Sequence, residues 1–261
     1  VTAPAAPTAV VTGGAGSIGR ELCAGLAGRG YRVVVLDAAA GAGPPGAGTP
    51  PGPGTPPGPG TPPGPGTPPG PGTGVDARRC DLTDYAAVRA AAGDLERVDV
   101  LVNSVGSWPR AAVDDFDPAE WDRLIQLNLS APMYAVAALL PQLRAARGSV
   151  VNLSSTTALR GAPTMIAYSA AKAGLLGLTR SLAVALGPDG VRVNCVLPGV
   201  LRTESNADFP PGPFERARAE RALGRDGHPG DVVGAVLFFA AAGADFITGQ
   251  SLIVDGGQLF G

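Results

Sequence analysis

Residue types that most often announce chemistry are scarce in this chain. Among 261 residues there are three cysteines and one histidine. Cys23, Cys80 and Cys195 stand far apart without metal-ligand spacing, and His228 alone cannot complete a set, so no metal is expected. The odd count also excludes a disulfide framework and suits a reducing cytoplasm, with the thiols serving as small apolar packing groups. Charge is thin as well. Only 16% of residues are charged, the formal net charge is -2 and no block of like charge occurs, which argues against nucleic acid as a partner. The longest apolar stretch, 232–244, is interrupted by Gly234 and Gly243. It falls short of the ~18 residues of a membrane span, so no membrane partner is expected. Residues 1–9 carry neither a basic leader nor an apolar core of signal-peptide length, and secretion is not expected.

Glycine and proline are in excess, at 39 and 27 residues. Fourteen of the prolines fall within 41–74, where Gly-Thr-Pro-Pro-Gly-Pro recurs from Gly48. With no side chains to bury and few donors to pair, this low-complexity segment is expected to be a solvated, flexible insertion. Glycine does not occupy every third place, which excludes collagen. Loop closure costs only ~0.6 kcal/mol per doubling of length, so the fold can carry it. A ligand for proline-binding modules is the other reading of the same segment.

Outside that insertion, 45% hydrophobic content suffices for one core, and 1–261 reads as a single domain. Short β-branched runs at 9–11, 32–36, 75–80, 99–102, 149–153, 191–196 and 251–254 alternate with helical patterns at 18–29, 84–92, 118–144, 164–186 and 231–241. Strand followed by helix, repeated, requires each crossover to return over the sheet. The expected fold class is therefore doubly wound α/β: a parallel sheet between two helical layers.

The first strand ends in Thr12-Gly13-Gly14-Ala15-Gly16-Ser17-Ile18-Gly19, and a helix opens at once. Small residues let the backbone turn sharply and approach a pyrophosphate, whose charge the free N–H groups of a helix N-terminus can meet. About twenty residues on, the second strand finishes in Asp37, placed to accept both hydroxyls of an adenosine ribose. A 2′-phosphate would be repelled there, and no Arg or Lys lies at 14–17 or 38–40 to compensate. NAD is therefore expected over NADP. Farther along, Tyr168 and Lys172 stand four apart in a helical run, on one face. A phenol is a poor base near neutral pH, and a neighbouring ammonium favours its ionised form. Ser155, just beyond a strand, can donate to a substrate oxygen on which charge develops.

At this point the chain resembles the short-chain dehydrogenase/reductase family, over nearly all its length apart from the insertion. Tyr168-Ser-Ala-Ala-Lys172 is similar to the family's Tyr-x-x-x-Lys, with Ser155 thirteen residues earlier, as the family's serine lies. Asn128, in Gln126-Leu-Asn128-Leu, matches the asparagine that holds a water in the family's proton relay. The resemblance implies a single Rossmann-fold domain, Tyr168 as acid and base, and Lys172 also binding the nicotinamide ribose. It further implies cofactor contacts from Gly13, Gly16, Ser17, Ile18, Gly19 and Asp37. Asp81-Leu82 looks like the pair that contacts adenine. Asn103-Ser104-Val105-Gly106 stands where Asn-Asn-Ala-Gly is usual, which leaves Asn103 and Gly106 as contacts. Pro198, Gly199, Val200 and Thr203 resemble the segment gripping the nicotinamide amide. Ser17 in place of the middle glycine implies a local adjustment.

The implied activity is interconversion of a small-molecule secondary alcohol and its ketone. Ser107, Trp108, Thr156 and Phe209 are the candidate substrate contacts, although Trp108 could equally close a loop. Other readings are a ketoreductase using NADPH and a dinucleotide-sensing protein without catalysis. An epimerase of the extended branch would need a longer C-terminal domain than follows the last strand. An enoyl reductase would need a wider Tyr–Lys spacing. The family resemblance implies a homotetramer, or dimer, paired through 118–144 and 164–186.

Overall fold

The computed structural model describes residues 6–40 and 75–260; the expectations for 41–74 lie outside them. The chain runs β1 (Thr8–Thr12), α1 (Ser17–Ala27), β2 (Arg32–Asp37), β3 (Val75–Arg79), α2 (Tyr85–Ala92) and β4 (Val100–Asn103). Then come α3 (Pro118–Ile125), α4 (Ala131–Ala138), α5 (Leu140–Ala146), β5 (Ser149–Leu153), α6 (Thr157–Arg160) and α7 (Ile166–Leu186). Last are β6 (Arg192–Pro198), α8 (Gly212–Glu220), α9 (Val233–Ala240) and β7 (Ser251–Val254). The seven strands form one parallel sheet in the order β3-β2-β1-β4-β5-β6-β7.

Alternate residues of each strand serve opposite faces, so the central strands are apolar on both. Val10, Val34, Leu101, Val150 and Val193 pack under Val88, Ala135, Leu143 and Leu182. On the other face Val11, Val33, Val102, Val151 and Val196 pack under Leu22, Leu26, Val236 and Phe239. Each such side chain, taken from water to full burial, contributes about 1.5–3 kcal/mol. A polar thread crosses the sheet among them. Asn103 Nδ2 donates to Asn152 Oδ1 at 2.9 Å, and Asn152 Nδ2 to Thr179 Oγ1 at 2.9 Å, on α7. Buried amides this well satisfied fix the relative height of β4, β5 and α7, and hence of the groups at their ends.

The chain turns from β1 to β2 on one side and returns to β4 on the other. Connections therefore diverge above the carboxyl ends of β1 and β4, which opens a crevice there.

One expected helix is in fact broken. The pattern at 118–144 reads as a single helix, but α3 passes through a π turn at Gln126–Ser130 into α4, and Leu139 leaves helical geometry before α5. Segments 118–138 and 140–146 are bent by 60°. Pro141, in the first turn of α5, lacks the N–H that a continuous helix would donate backwards, which favours a new start there. No single helix among the described residues is long and apolar enough to cross a membrane.

Candidate active site

The turn from β1 to α1 is built from glycines because its neighbours leave no room for a Cβ. At Gly13, where φ is +69°, a Cβ would lie 2.7 Å from the Val105 backbone; at Gly19 it would lie 2.2 Å from the Gly13 carbonyl oxygen. Gly16, the residue before α1, has no side chain to cap the helix, and no acidic residue lies in the first turn. The N–H groups there thus keep their attraction for an anion. Beside this turn Asp37 accepts from the N–H groups of Ala15 at 3.0 Å and Ala39 at 2.8 Å. Both carboxylate oxygens retain lone pairs for a diol. A close-packed cradle, an uncapped helix end and an acceptor carboxylate fit the adenosine diphosphate portion of a dinucleotide. Sequence reading missed Arg20, which donates to the Ala15 carbonyl at 2.8 Å and pairs with Glu204 at 2.6 Å. It ties the turn to the segment after β6.

At the carboxyl end of β5, Ser154 donates to the Lys172 carbonyl at 2.7 Å, and Lys172 Nζ donates to the Leu153 carbonyl at 2.8 Å. These two bonds staple α7 to β5. Lys172 is 4% exposed, and its ammonium lies 5.6 Å from the centroid of the Tyr168 ring. Ser155 and Tyr168 line the same cavity, where Ser155 Oγ accepts from the Thr157 N–H at 3.2 Å, and the Trp108 ring meets that of Tyr168 edge-on at 6.3 Å. Ser155, Tyr168 and Lys172 are thus brought together as spacing suggested, and Trp108 faces the crevice.

The electrostatics depart from expectation. Burial pushes the Tyr168 phenol up to about 12, against a smaller lowering by the Ser155 hydroxyl. Burial also brings Lys172 down to about 8, with buried Cys195 pulling the other way. The anticipated lowering of the phenol by the lysine is not seen: desolvation is the main influence on Tyr168, and the Lys172 ammonium is aimed at the Leu153 carbonyl.

Asn128 sits within the π turn, fully buried. Its amide donates to the carbonyls of Ser107 and Leu124, each at 3.0 Å, and its oxygen accepts from Ser107 N–H at 3.3 Å. Only one side-chain lone pair is left for a water. Gly106 faces this group, where a Cβ would lie 2.9 Å from Asn128 Oδ1 and 3.5 Å from Lys172 Nζ.

A cavity of about 190 Å³ opens over these residues. Ile18, Gly106, Thr156, Pro198, Gly199, Val200, Thr203 and Phe209 line it as anticipated. Asn103, Leu82, Ser107 and Asp81 lie outside this lining. The Asn103 side chain is buried and spent on its neighbours in the sheet and on the Pro132 carbonyl. Leu82 is buried in the core beside α2. Ser107 has its backbone engaged with Asn128. Asp81 is exposed and accepts from Thr83, while Asp84 caps α2. Arg110, Arg160, Leu201 and Phe214 also line the cavity, from the segments 107–110, 156–164 and 200–225 that the sequence offers as pocket walls, and Met165 joins them. Among the described residues no cluster of side chains suits a metal ion. The three cysteines are free and buried.

A parallel sheet with a dinucleotide cradle, beside a serine, a tyrosine and a lysine in one cleft, defines a nucleotide-dependent oxidoreductase fold. Comparison with known proteins narrows this. A family model described as enoyl-(acyl carrier protein) reductase matches residues 71–258. A trans-4-hydroxycyclohexanecarboxylate dehydrogenase from Sinomonas cyclohexanicum is 39% identical over 69% of this chain and 70% of its own. A D-xylose 1-dehydrogenase from Caulobacter vibrioides is 33% identical over 95% of this chain and 94% of its own. The crystal structure of a short-chain dehydrogenase/reductase family oxidoreductase from Burkholderia thailandensis superposes with a TM-score of 0.80. It is 33% identical and covers 98% of this chain and 94% of that one. The chain belongs to the short-chain dehydrogenase/reductase family. It is an oxidoreductase acting on CH–OH groups with a nicotinamide dinucleotide, NAD(P).

Proposed function

We propose that this chain is a dehydrogenase that prefers NAD and interconverts a secondary alcohol and its ketone, with Tyr168 as the proton-transfer group. The observation carrying this reading is the convergence of the Ser155 hydroxyl and the Lys172 ammonium on Tyr168, within the cleft lined by Pro198, Gly199 and Thr203. In oxidation Ser155 orients the substrate hydroxyl and Tyr168 takes its proton. In reduction Tyr168 returns the proton while Ser155 donates to the developing oxyanion. Lys172 supplies the positive charge beneath the ring, and Asn128 holds the water that passes protons on. A bound oxidised dinucleotide supplies the hydride acceptor. Gly13, Gly16, Ser17, Ile18, Gly19 and Asp37 would hold its adenosine end, and Lys172, Val200 and Thr203 its nicotinamide end. The relative named for a hydroxycyclohexanecarboxylate supports a cyclic secondary alcohol as substrate.

Preference for NAD rests on Asp37 at the glycine turn. Asp37→Ala combined with Ala38→Arg is expected to shift the ratio of kcat/KM for NAD over NADP towards NADP by about tenfold or more, through lost repulsion and a gained charge-assisted bond. An unchanged ratio would show that Asp37 does not face the ribose.

We also propose a homotetramer and a reducing, cytoplasmic setting, the latter supported by three free, buried thiols. Exposed Val113, Phe116 and Ile166 line a groove of about 340 Å³ beside the starts of α3 and α7. Apolar surface of this kind is commonly covered by another subunit. Light scattering is expected to give four times the chain mass; the mass of one chain would contradict this assignment.

A further inference from the structure

The cleft has a charge pattern that alcohol chemistry alone does not require. Its lining contains Arg110 and Arg160 besides Lys172, and neither an aspartate nor a glutamate. Lys172 is engaged at the Leu153 carbonyl beneath Tyr168. The two guanidinium groups are not so committed. Arg110 lies 4.6 Å over the face of the Phe209 ring, and among the described residues no carboxylate pairs with it. A ring face holds a guanidinium by its plane and leaves its N–H edge free, the edge that meets a carboxylate in two parallel bonds. Arg160 reaches Glu220 only at 4.0 Å, while Gln258 donates to the same Glu220 oxygen at 2.7 Å.

Both arginines are positioned from the reactive end of the cleft. Arg160 closes α6, which begins two residues beyond Ser155. Arg110 follows Trp108, and the neighbouring N–H of Ala111 donates to the Thr164 carbonyl at 2.9 Å, which holds this loop against the approach to α7. Much of the remaining lining is apolar, including Trp108, Met165, Leu201, Phe209 and Phe214, and both Arg110 and Arg160 are exposed. Such a cleft has a reactive polar end, a hydrocarbon body and a cationic rim.

We infer that the substrate is a hydroxy acid and the product an oxo acid, with the carboxylate held at this rim by Arg110 and assisted by Arg160. This rests on the dehydrogenase reading above. The carboxylate takes no part in the reaction. The carbinol C–H bond breaks with its electron pair passing to the oxidised dinucleotide, the O–H proton passes to Tyr168, and a C=O bond forms. Arg110 is a binding and specificity residue that acts on the acid end alone.

The test uses ligands that cannot react. Cyclohexanecarboxylate and cyclohexanecarboxamide match in shape and differ in charge, and each is titrated calorimetrically into the full chain with NADH or NADPH present. The acid is expected to bind about tenfold or more tightly than the amide, as a charge-assisted pair at a partly screened site allows. Arg110→Gln should bring the acid-to-amide ratio most of the way to one, and adding Arg160→Gln should complete the loss. Arg110→Lys should recover part of it. Arg29→Gln, beyond the end of α1, removes one positive charge elsewhere and should leave the ratio as in the wild type. Equal affinity for acid and amide in the wild type, no measurable binding of the acid, or a ratio that survives in the double variant would each overturn the inference. Neither probe carries a hydroxyl, so the result is independent of turnover. Failure of the dehydrogenase reading would show instead in Tyr168→Phe kinetics.

Discussion

Tyr168→Phe is expected to lower kcat for alcohol oxidation by about 10⁴-fold while dinucleotide affinity stays near the wild-type value, because the change removes one oxygen and leaves the ring in place. The magnitude follows from the loss of a positioned acid–base group. Trp108 packs against the ring, not the hydroxyl, so the cleft keeps its shape. Stopped-flow reduction of the nicotinamide, beside calorimetric dinucleotide binding, separates the two effects. The acid–base assignment would fail if the variant turned over near the wild-type rate.

Lys172→Met should move activity and stability in opposite directions. Activity should fall by about 10²–10³-fold with the loss of the charge beneath the ring. Stability is governed by the cost of burying an ammonium, which lowers its folded-state pKa from 10.5 to about 8. A depressed lysine pKa means that the folded state binds the proton less readily than the unfolded chain. The penalty, of order 3 kcal/mol at most, is therefore full below pH about 8 and fades as pH rises towards about 10.5. The methionine variant escapes it, and loses in exchange the bond to the Leu153 carbonyl. Its unfolding free energy relative to wild type should be most favourable at neutral pH and should decline between pH 8 and 10. Denaturant titrations across that range check the slope; a difference independent of pH would mean that Lys172 is buried neutral or is solvated.

Strand positions and the doubly wound class were legible in the sequence because both rest on local patterns: short continuous β-branched runs, helical runs between them, and a glycine turn. The grouping of Ser155 with Tyr168 and Lys172 was legible too. Two of the three share a helix face, and the third follows the strand that α7 packs against. The break at Leu139 was not. Apolar residues continue through the bend at helical spacing, so periodicity alone does not register a change of axis, and Pro141 was the sole local sign. Asn103 and Leu82 were assigned to the cofactor by resemblance; the burial of both side chains is a matter of packing, which the motif does not encode. The arginines of the cleft lie in segments, 107–110 and 156–164, that were legible as pocket walls, but their joint charge was not. Arg110 reaches the cleft through a backbone bond between Ala111 and Thr164, a pairing that no local signal encodes. The raised phenol pKa was likewise beyond a sequence argument, since it measures burial rather than spacing.

The central claim, that a proton passes through the Tyr168 oxygen, is tested most directly by kcat/KM for oxidation of one secondary alcohol as a function of pH, in the wild type and in Tyr168→Phe. Desolvation holds the Tyr168 phenol high, at about 12, beside a lysine near 8. The wild-type profile should therefore climb from neutral pH into the alkaline range, since oxidation needs the oxygen unprotonated, and the reverse reaction should fall over the same range. In the variant that climb should vanish along with the rate. An alkaline limb of unchanged height and midpoint after removal of the phenol oxygen would contradict the account.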